Sequence, residues 1–396
     1  MRDPLFRMAL ILGLLSAVGP FAIDMYLPAL PQVAADLGTD EAGAALTLTA
    51  YFIVFGIAQM IYGPMADAWG RKRPLVIGVS IFLGASVLAS LAPDIITLIA
   101  ARALQALGAA TLMAVPRAVI RDMASGPEAA RMMASIMIVI SVSPMLAPLT
   151  GSMVMTFGGW REIFAVLAVA SLVSLALITF VLPETLPVQA RRPVRVAALW
   201  AGAKRLLSDR TFMGLTMIGG FGMASFFVFL ATGSFVYTRE FGLSPTGFSI
   251  AFAMNAVGFF GASQLAGRLS ARFGMQRVIT VAISAFAATT VLLALLGWVG
   301  IVSLPLTVAG LFVANAFLGL VLPTTMAMAM DPHPDIAGLA ASLGGTVQML
   351  TGGVMIALTG LFLDNSAASM LGVIAVCGVL ALAAATAALG GRRAMA

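Results

Sequence analysis

Charge spacing constrains this chain more than any other feature. Runs without Asp, Glu, Lys or Arg cover 8–23, 42–66, 74–93, 132–160, 163–183, 211–238, 241–267, 278–330, 336–363 and 365–391. Residues 103–120 form another, broken only by Arg117. About 20 apolar residues cross the hydrocarbon core of a bilayer. Residues 25–35 extend the first crossing past Asp24, and 95–101 begin the fourth. The run 278–330 is long enough for two crossings, with "GWVGIVSLP" at 297–305 as the turn between them. The expected fold is therefore an all-α membrane protein of twelve transmembrane helices. The first helix opens after Arg2 and Arg7, as a secretion signal would. It runs on too far and shows no clear small-residue cleavage site, so it reads as retained.

Charged residues make up 10% of the chain and hydrophobic ones 61%. A soluble domain carries about 25% charged residues, so most of this surface faces lipid. The isoelectric point near 10.2 would suit nucleic acid, but the placement of the basic residues argues otherwise. With the N-terminus inside, the inner loops collect Arg2, Arg7, Arg71, Lys72, Arg73, Arg121, Arg131, the arginines at 191, 192 and 195, Lys204, Arg205, Arg210, Arg268, Arg272, Arg277, Arg392 and Arg393. The outer side receives only Arg161 and Arg239, and Arg102 and Arg117 fall within the fourth helix. This bias sets orientation and engages anionic lipid. With an even number of helices it places both termini on the inner, cytoplasmic side, and no nucleic-acid partner is expected. One cysteine, Cys377, excludes an intrachain disulfide and any cysteine metal cluster; it reads as a small packed residue. The lone His333, in "DPHPD", has no companion ligands at suitable spacing and reads as structural or solvated. No cofactor or metal is expected.

The longest polar stretch, 184–210, divides the chain into an N-terminal six-helix half (1–183) and a C-terminal half (211–396). Its second part reads as a short amphipathic helix on the inner surface, with Trp200 in lipid and Lys204 and Arg205 toward headgroups. "GPMADAWGRKR" at 63–73 aligns with "GRLSARFGMQR" at 267–277, so Gly63, Gly70 and Arg73 recur as Gly267, Gly274 and Arg277. Both copies lie between the second and third helix of their half. Two pseudo-symmetric halves around a central cavity are a transporter architecture.

The chain resembles the major facilitator superfamily across essentially its whole length. "GPMADAWGRKR" is similar to that superfamily's loop 2–3 signature and "RALQALGAA" (102–110) to its helix-four signature. "SPMLAPLTG" (143–151) resembles the helix-five signature of its drug/proton antiporters, and "DMYLPALP" with "GWREIF" (159–164) resembles the Bcr/CflA drug-resistance subfamily. Ala68 stands where the superfamily usually has a basic residue. The resemblance implies a monomeric, proton-coupled exporter of small drugs, with Arg71 and Asp122 completing a charge chain with Asp67.

Asp24 is the only charge between Arg7 and Asp36. A carboxyl group inside a membrane is expensive and marks a functional site whose partner must be found. The base at similar depth is Arg102. It lies about 12 Å below the outer end of helix four, against about 18 Å for Asp24 in helix one, at 1.5 Å per residue. Kinks at Pro28 and Pro31 bring the two within reach, and Gln105 faces the same side as Arg102. Burial favours a neutral carboxyl group and a guanidinium favours the ionised one, so a small rearrangement moves a proton. A static ion pair between helices one and four is the structural alternative.

Gly63 is expected to allow close helix approach at the inner end, and Asp67 to meet the positive dipole end of the eleventh helix, which starts near Asp335. Pro144, Pro148 and Gly151 are expected to bend helix five and seal the cavity against proton leak, which favours antiport over the alternative, proton-coupled symport of a small metabolite. Tyr26, Gln105, Phe226, Phe229, Asn255, Asn315 and Gln348 are the candidate substrate residues: few polar groups among aromatic ones suit amphipathic drugs. No nucleotide loop, metal cluster or soluble domain supports an enzyme or receptor.

Overall fold

The computed structural model describes residues 4–362 and 366–390; Arg2, Arg392 and Arg393 lie outside them. Among the described residues, twelve helices are long and apolar enough to cross a membrane. In chain order, spans 1 to 6 are Phe6–Asp36, Glu41–Trp69, Lys72–Ser90, Ile95–Met123, Gly126–Met155 and Trp160–Val181. Spans 7 to 12 are Arg210–Arg239, Pro245–Phe273, Met275–Trp298, Leu304–Met330, Pro334–Gly360 and Ala367–Leu389. The long charge-free run at 278–330 divides as expected, with its break after Trp298. Hydroxyl side chains inside the spans mostly donate to carbonyls of their own helix, as Thr325 does to Val321 (2.9 Å). This leaves few polar groups for lipid to meet.

Two compact units emerge. One comprises Met1–Asp40 with Ala50–Arg195, and the other Glu41–Thr49 with Val196–Ala396. The polar stretch 184–210 is thus shared: residues to Arg195 group with the first unit, and the helix Val196–Ser208 with the second. That helix exposes Trp200 and buries Ala203 and Leu206. Arg205 pairs with Asp335 (2.7 Å). His333, buried, meets Asp209 through Nε2 (2.9 Å), while Asp209 also caps span 7 by accepting from the Thr211 and Phe212 amides. Burial opposes ionisation of Asp209, but those amides and His333 prevail and hold its carboxyl below the usual range. Glu41 pairs with Arg239 within the second unit. Cys377 is buried.

Small residues set the closest contacts of the first unit. A Cβ on Gly108 of span 4 would come within 2.7 Å of Phe82 on span 3. One on Gly151 of span 5 would strike the Met25 backbone carbonyl of span 1. Gly63 is different: a Cβ there would meet nothing within 4 Å, so the expected close approach at Gly63 is absent. The tight crossings of this unit lie instead at Gly108 and Gly151.

Span 1 is interrupted. Its first segment ends at Asp24, a 3-10 turn follows over Leu27–Ala29, and helix resumes over Leu30–Asp36. Pro28 and Pro31 each remove a backbone donor where the second segment begins. Span 5 behaves otherwise, remaining one helix, Gly126–Met155, through both Pro144 and Pro148. Gly70 and Gly274, the repeated glycines, both adopt positive φ, +89° and +82°.

Candidate functional site

Span 4 begins at a capped terminus, where Asp94 accepts from the Thr97 amide (2.8 Å). Two turns in, Arg102 is fully buried. Its Nη1 donates to the carbonyl oxygen of Ala22 (2.9 Å) and to Gln105 Oε1. Gln105 Nε2 donates in turn to Ser86 Oγ (2.9 Å), and Ser86 to the Phe82 carbonyl (2.8 Å). Three rings surround the guanidinium carbon: Tyr51 at 4.4 Å, Tyr26 at 5.0 Å and Phe164 at 5.7 Å. Nε and Nη2 make no hydrogen bond. Aromatic faces compensate a buried cation in part.

Asp24 is buried. It forms no ion pair with Arg102, which corrects the expected pairing of the two. The break in span 1 supplies the reason. Ending the first segment at Asp24 leaves its last carbonyls without helical partners. The Ala22 carbonyl takes the guanidinium, which suits the negative end of a helix dipole. Tyr51 lies within electrostatic reach of both Asp24 and Arg102. Tyr26 packs against Phe164 at 5.4 Å and belongs to this cage.

A second cluster forms where spans 2 and 3 meet. Arg71 is buried and grips Asp122 with two bonds, Nε to Oδ2 (2.7 Å) and Nη2 to Oδ1 (3.2 Å). Its Nη1 donates to Asp67 Oδ1 (2.6 Å). Burial disfavours the Arg71 charge, but the hydrogen bonds to Asp122 and Asp67 prevail and hold its proton more firmly than usual. Asp67, Arg71 and Asp122 thus meet. Glu184, just beyond span 6, joins them from the far side. Its Oε1 accepts from the Arg71 and Leu186 amides (2.8 and 3.0 Å), and its Oε2 from the Lys72 amide (3.2 Å). Burial works against ionisation of Glu184, yet these donors and Arg191 keep its carboxyl below the usual range. Gly70 turns the chain at positive φ with Glu184 and Arg191 packed over it.

The remaining candidates lie in the second unit. Phe226 is half-buried and stacks on Phe259 (5.7 Å, 22°); Phe229 is buried and stacks on Phe252 (5.8 Å, 4°). Asn255 is fully buried, its Nδ2 donating to the Ala251 carbonyl (3.1 Å). Asn315 is buried, and Gln348 is half-buried beside Gly219. Gln105 and Asn255 are both fully buried in this structure.

The sequence reading missed Tyr51, Ser86, Phe164 and Glu184. Ser86 carries no signal in sequence, being one residue of an apolar run among many, and Phe164, though it closes the "GWREIF" motif, has nothing local to tie it to Arg102. Tyr51 is the second of only four tyrosines, and a phenol in a membrane span asks for a partner. Glu184 follows Pro183 at the end of a span, where a carboxylate has a choice of loop amides.

The model of the Major Facilitator Superfamily matches residues 12–357. Over 357 residues the chain is 35% identical to "Uncharacterized MFS-type transporter YdgK" of Bacillus subtilis, covering 89% of this chain and 88% of that protein. It is 31% identical to "Multidrug resistance protein D" of Escherichia coli, covering 92% and 91%, and 28% identical to "Bicyclomycin resistance protein homolog" of Haemophilus influenzae, covering 96% and 95%. Among solved structures, the D-xylose-proton symporter shares the fold with a TM-score of 0.74 at 16% identity, over 97% of each chain. A bacterial homolog of the human lysosomal transporter Spinster gives 0.75 at 15%, over 99% of this chain and 98% of that one. Twelve spans, a charge buried between helices and relatives matched end to end make one assignment: this chain belongs to the Major Facilitator Superfamily and is a multi-pass membrane transporter, not an enzyme.

Proposed function

We propose that the protein exports small amphipathic drugs in exchange for protons, by alternating access, across a bacterial inner membrane with both termini in the cytoplasm. The observation that carries the reading is Asp24, a carboxyl group buried in the depth of span 1 at the point where its helix stops. A carboxyl group so placed exchanges its proton whenever its surroundings alternate. Arg102 holds the neighbouring backbone, and the Arg71 cluster governs the ends of spans 2, 3 and 4. Relatives named for multidrug and bicyclomycin resistance support a drug substrate. Phe226 and Gln348, which keep exposed surface, are the proposed drug contacts.

Two measurements test this. Susceptibility to a panel of antibiotics, in an exporter-deficient host with and without the gene, identifies the substrate. Transport of that substrate in proteoliposomes is expected to follow an imposed pH gradient and, with Asp24→Asn, to fall to the level of empty vesicles. Efflux that persists after an uncoupler collapses the gradient ends the proton reading. Substrate accumulating in the direction of proton flow replaces antiport with symport.

A further inference from the structure

Tyr51 on span 2 is enclosed on all sides, with no surface exposed. Its ring lies 4.4 Å from the Arg102 guanidinium, stacks on Phe55 (6.0 Å, 14°) and meets Phe52 edge-on (6.2 Å). These contacts fix the ring. Its hydroxyl, however, has no hydrogen-bond partner. Buried hydroxyls are nearly always satisfied, and an exception calls for an explanation.

The groups around it supply one. Asp24 from span 1 and Arg102 from span 4 are the charged groups within its electrostatic reach. Tyr26, also on span 1, and the neutral amide of Gln105 complete the polar surroundings of the cage; Phe164 from span 6 is apolar. Arg102 is a donor only, so it offers a phenol no reason to donate. Asp24 is an acceptor, and it stands at the end of a helical segment. The chain beyond it, through Met25 and Tyr26, is a turn outside regular helix. Its backbone bonds are two isolated ones, from the Met25 amide to the Phe21 carbonyl (3.1 Å) and from the Ala29 amide to the Tyr26 carbonyl (3.0 Å), rather than a continuous ladder.

We propose that Tyr51 is the positioning residue of the Asp24 carboxyl group. Its hydroxyl donates a hydrogen bond to Asp24 in the state that releases the proton and is left without a partner in the state seen here. A phenol donating to a carboxylate is a charge-assisted bond that favours the ionised form. Because the ring is anchored on Arg102, approach of span 1 to span 2 brings donor and carboxylate together. Proton release then depends on that approach. The inference rests on the reading of Asp24 as the proton carrier.

The test needs no substrate. Purified full-length protein in lipid nanodiscs is titrated while infrared difference spectroscopy follows the carboxyl C=O stretch. The band lost in Asp24→Asn belongs to Asp24. Tyr51→Phe keeps the ring and its stacking and removes only the donor. Its Asp24 band is expected to titrate about one pH unit higher than in the wild type, the size of a modest charge-assisted bond. Incorporating 3-fluorotyrosine at position 51, a stronger donor of nearly the same shape, is expected to displace the midpoint the opposite way, and serves also if Tyr51→Phe does not fold. An Asp24 band that titrates identically in wild type and in the folded variants overturns the role of Tyr51 and leaves the proton reading standing. A wild type without any Asp24-dependent band across the stable pH range overturns both.

Discussion

At the scale of residues, the membrane interior of the first unit is organised around a cation. Arg102 could be recognised in the sequence as a buried charge, and Asp24 likewise. Their relation could not, because it depends on where span 1 stops. A helix continuing past Asp24 would have kept the Ala22 carbonyl for itself. The break releases it, and Arg102 takes it. The aromatic cage was equally hidden, since Tyr51, Tyr26 and Phe164 come from three spans and no periodicity within one span announces it. The cage depends on the planarity of the guanidinium, so Arg102→Lys is not conservative. It keeps the charge but replaces the planar group set among three rings with a compact ammonium, and displaces the nitrogen that serves Ala22 and Gln105 together. The expected loss is about 1–2 kcal/mol, read as a lowered thermal midpoint in detergent. An unchanged midpoint would mean that charge alone holds span 4 to span 1.

At the scale of elements, the turn between spans 2 and 3 is held by groups distant in sequence. Glu184 reaches the Arg71 and Lys72 amides across more than a hundred residues. The loop signature made Asp67, Arg71 and Asp122 legible, whereas nothing local marks Glu184 as their support. Removing its charge weakens several amide bonds at once. Glu184→Gln is expected to cost about 1–3 kcal/mol near neutral pH. The pH dependence has a definite sign. The folded-state carboxyl titrates below its ordinary value of 4.5, so its contribution is complete above that pH and is lost as pH falls through the lower folded-state value. Wild type and Glu184→Gln are therefore expected to differ by a constant amount above about pH 4.5 and to converge below it. Unfolding midpoints measured across that range check this, and a gap that opens only on the acid side would assign the stabilisation elsewhere.

At the scale of the whole molecule, hydropathy carried most of the fold, because crossing a bilayer leaves few choices: each crossing needs its own apolar run. The one long run at 278–330 split where its turn residues lay. Two prolines left span 5 unbroken, and two others accompanied the break in span 1, since a membrane helix tolerates the lost donor unless a turn replaces it. The repeated signature left a trace in backbone conformation, with Gly70 and Gly274 both at positive φ. Their surroundings differ, because Glu184 and Arg191 press on Gly70 while nothing lies within 4 Å of a Cβ built on Gly274. The chain thereby carries its own calibration standard. Gly274→Ala reports the cost of the positive-φ backbone alone (φ +82°, ψ +141°), about 1–3 kcal/mol, and Gly70→Ala reports the backbone cost plus crowding. Subtracting one thermal shift from the other isolates the crowding, without recourse to a second protein as control. Equal shifts would show that the side chains over Gly70 yield freely.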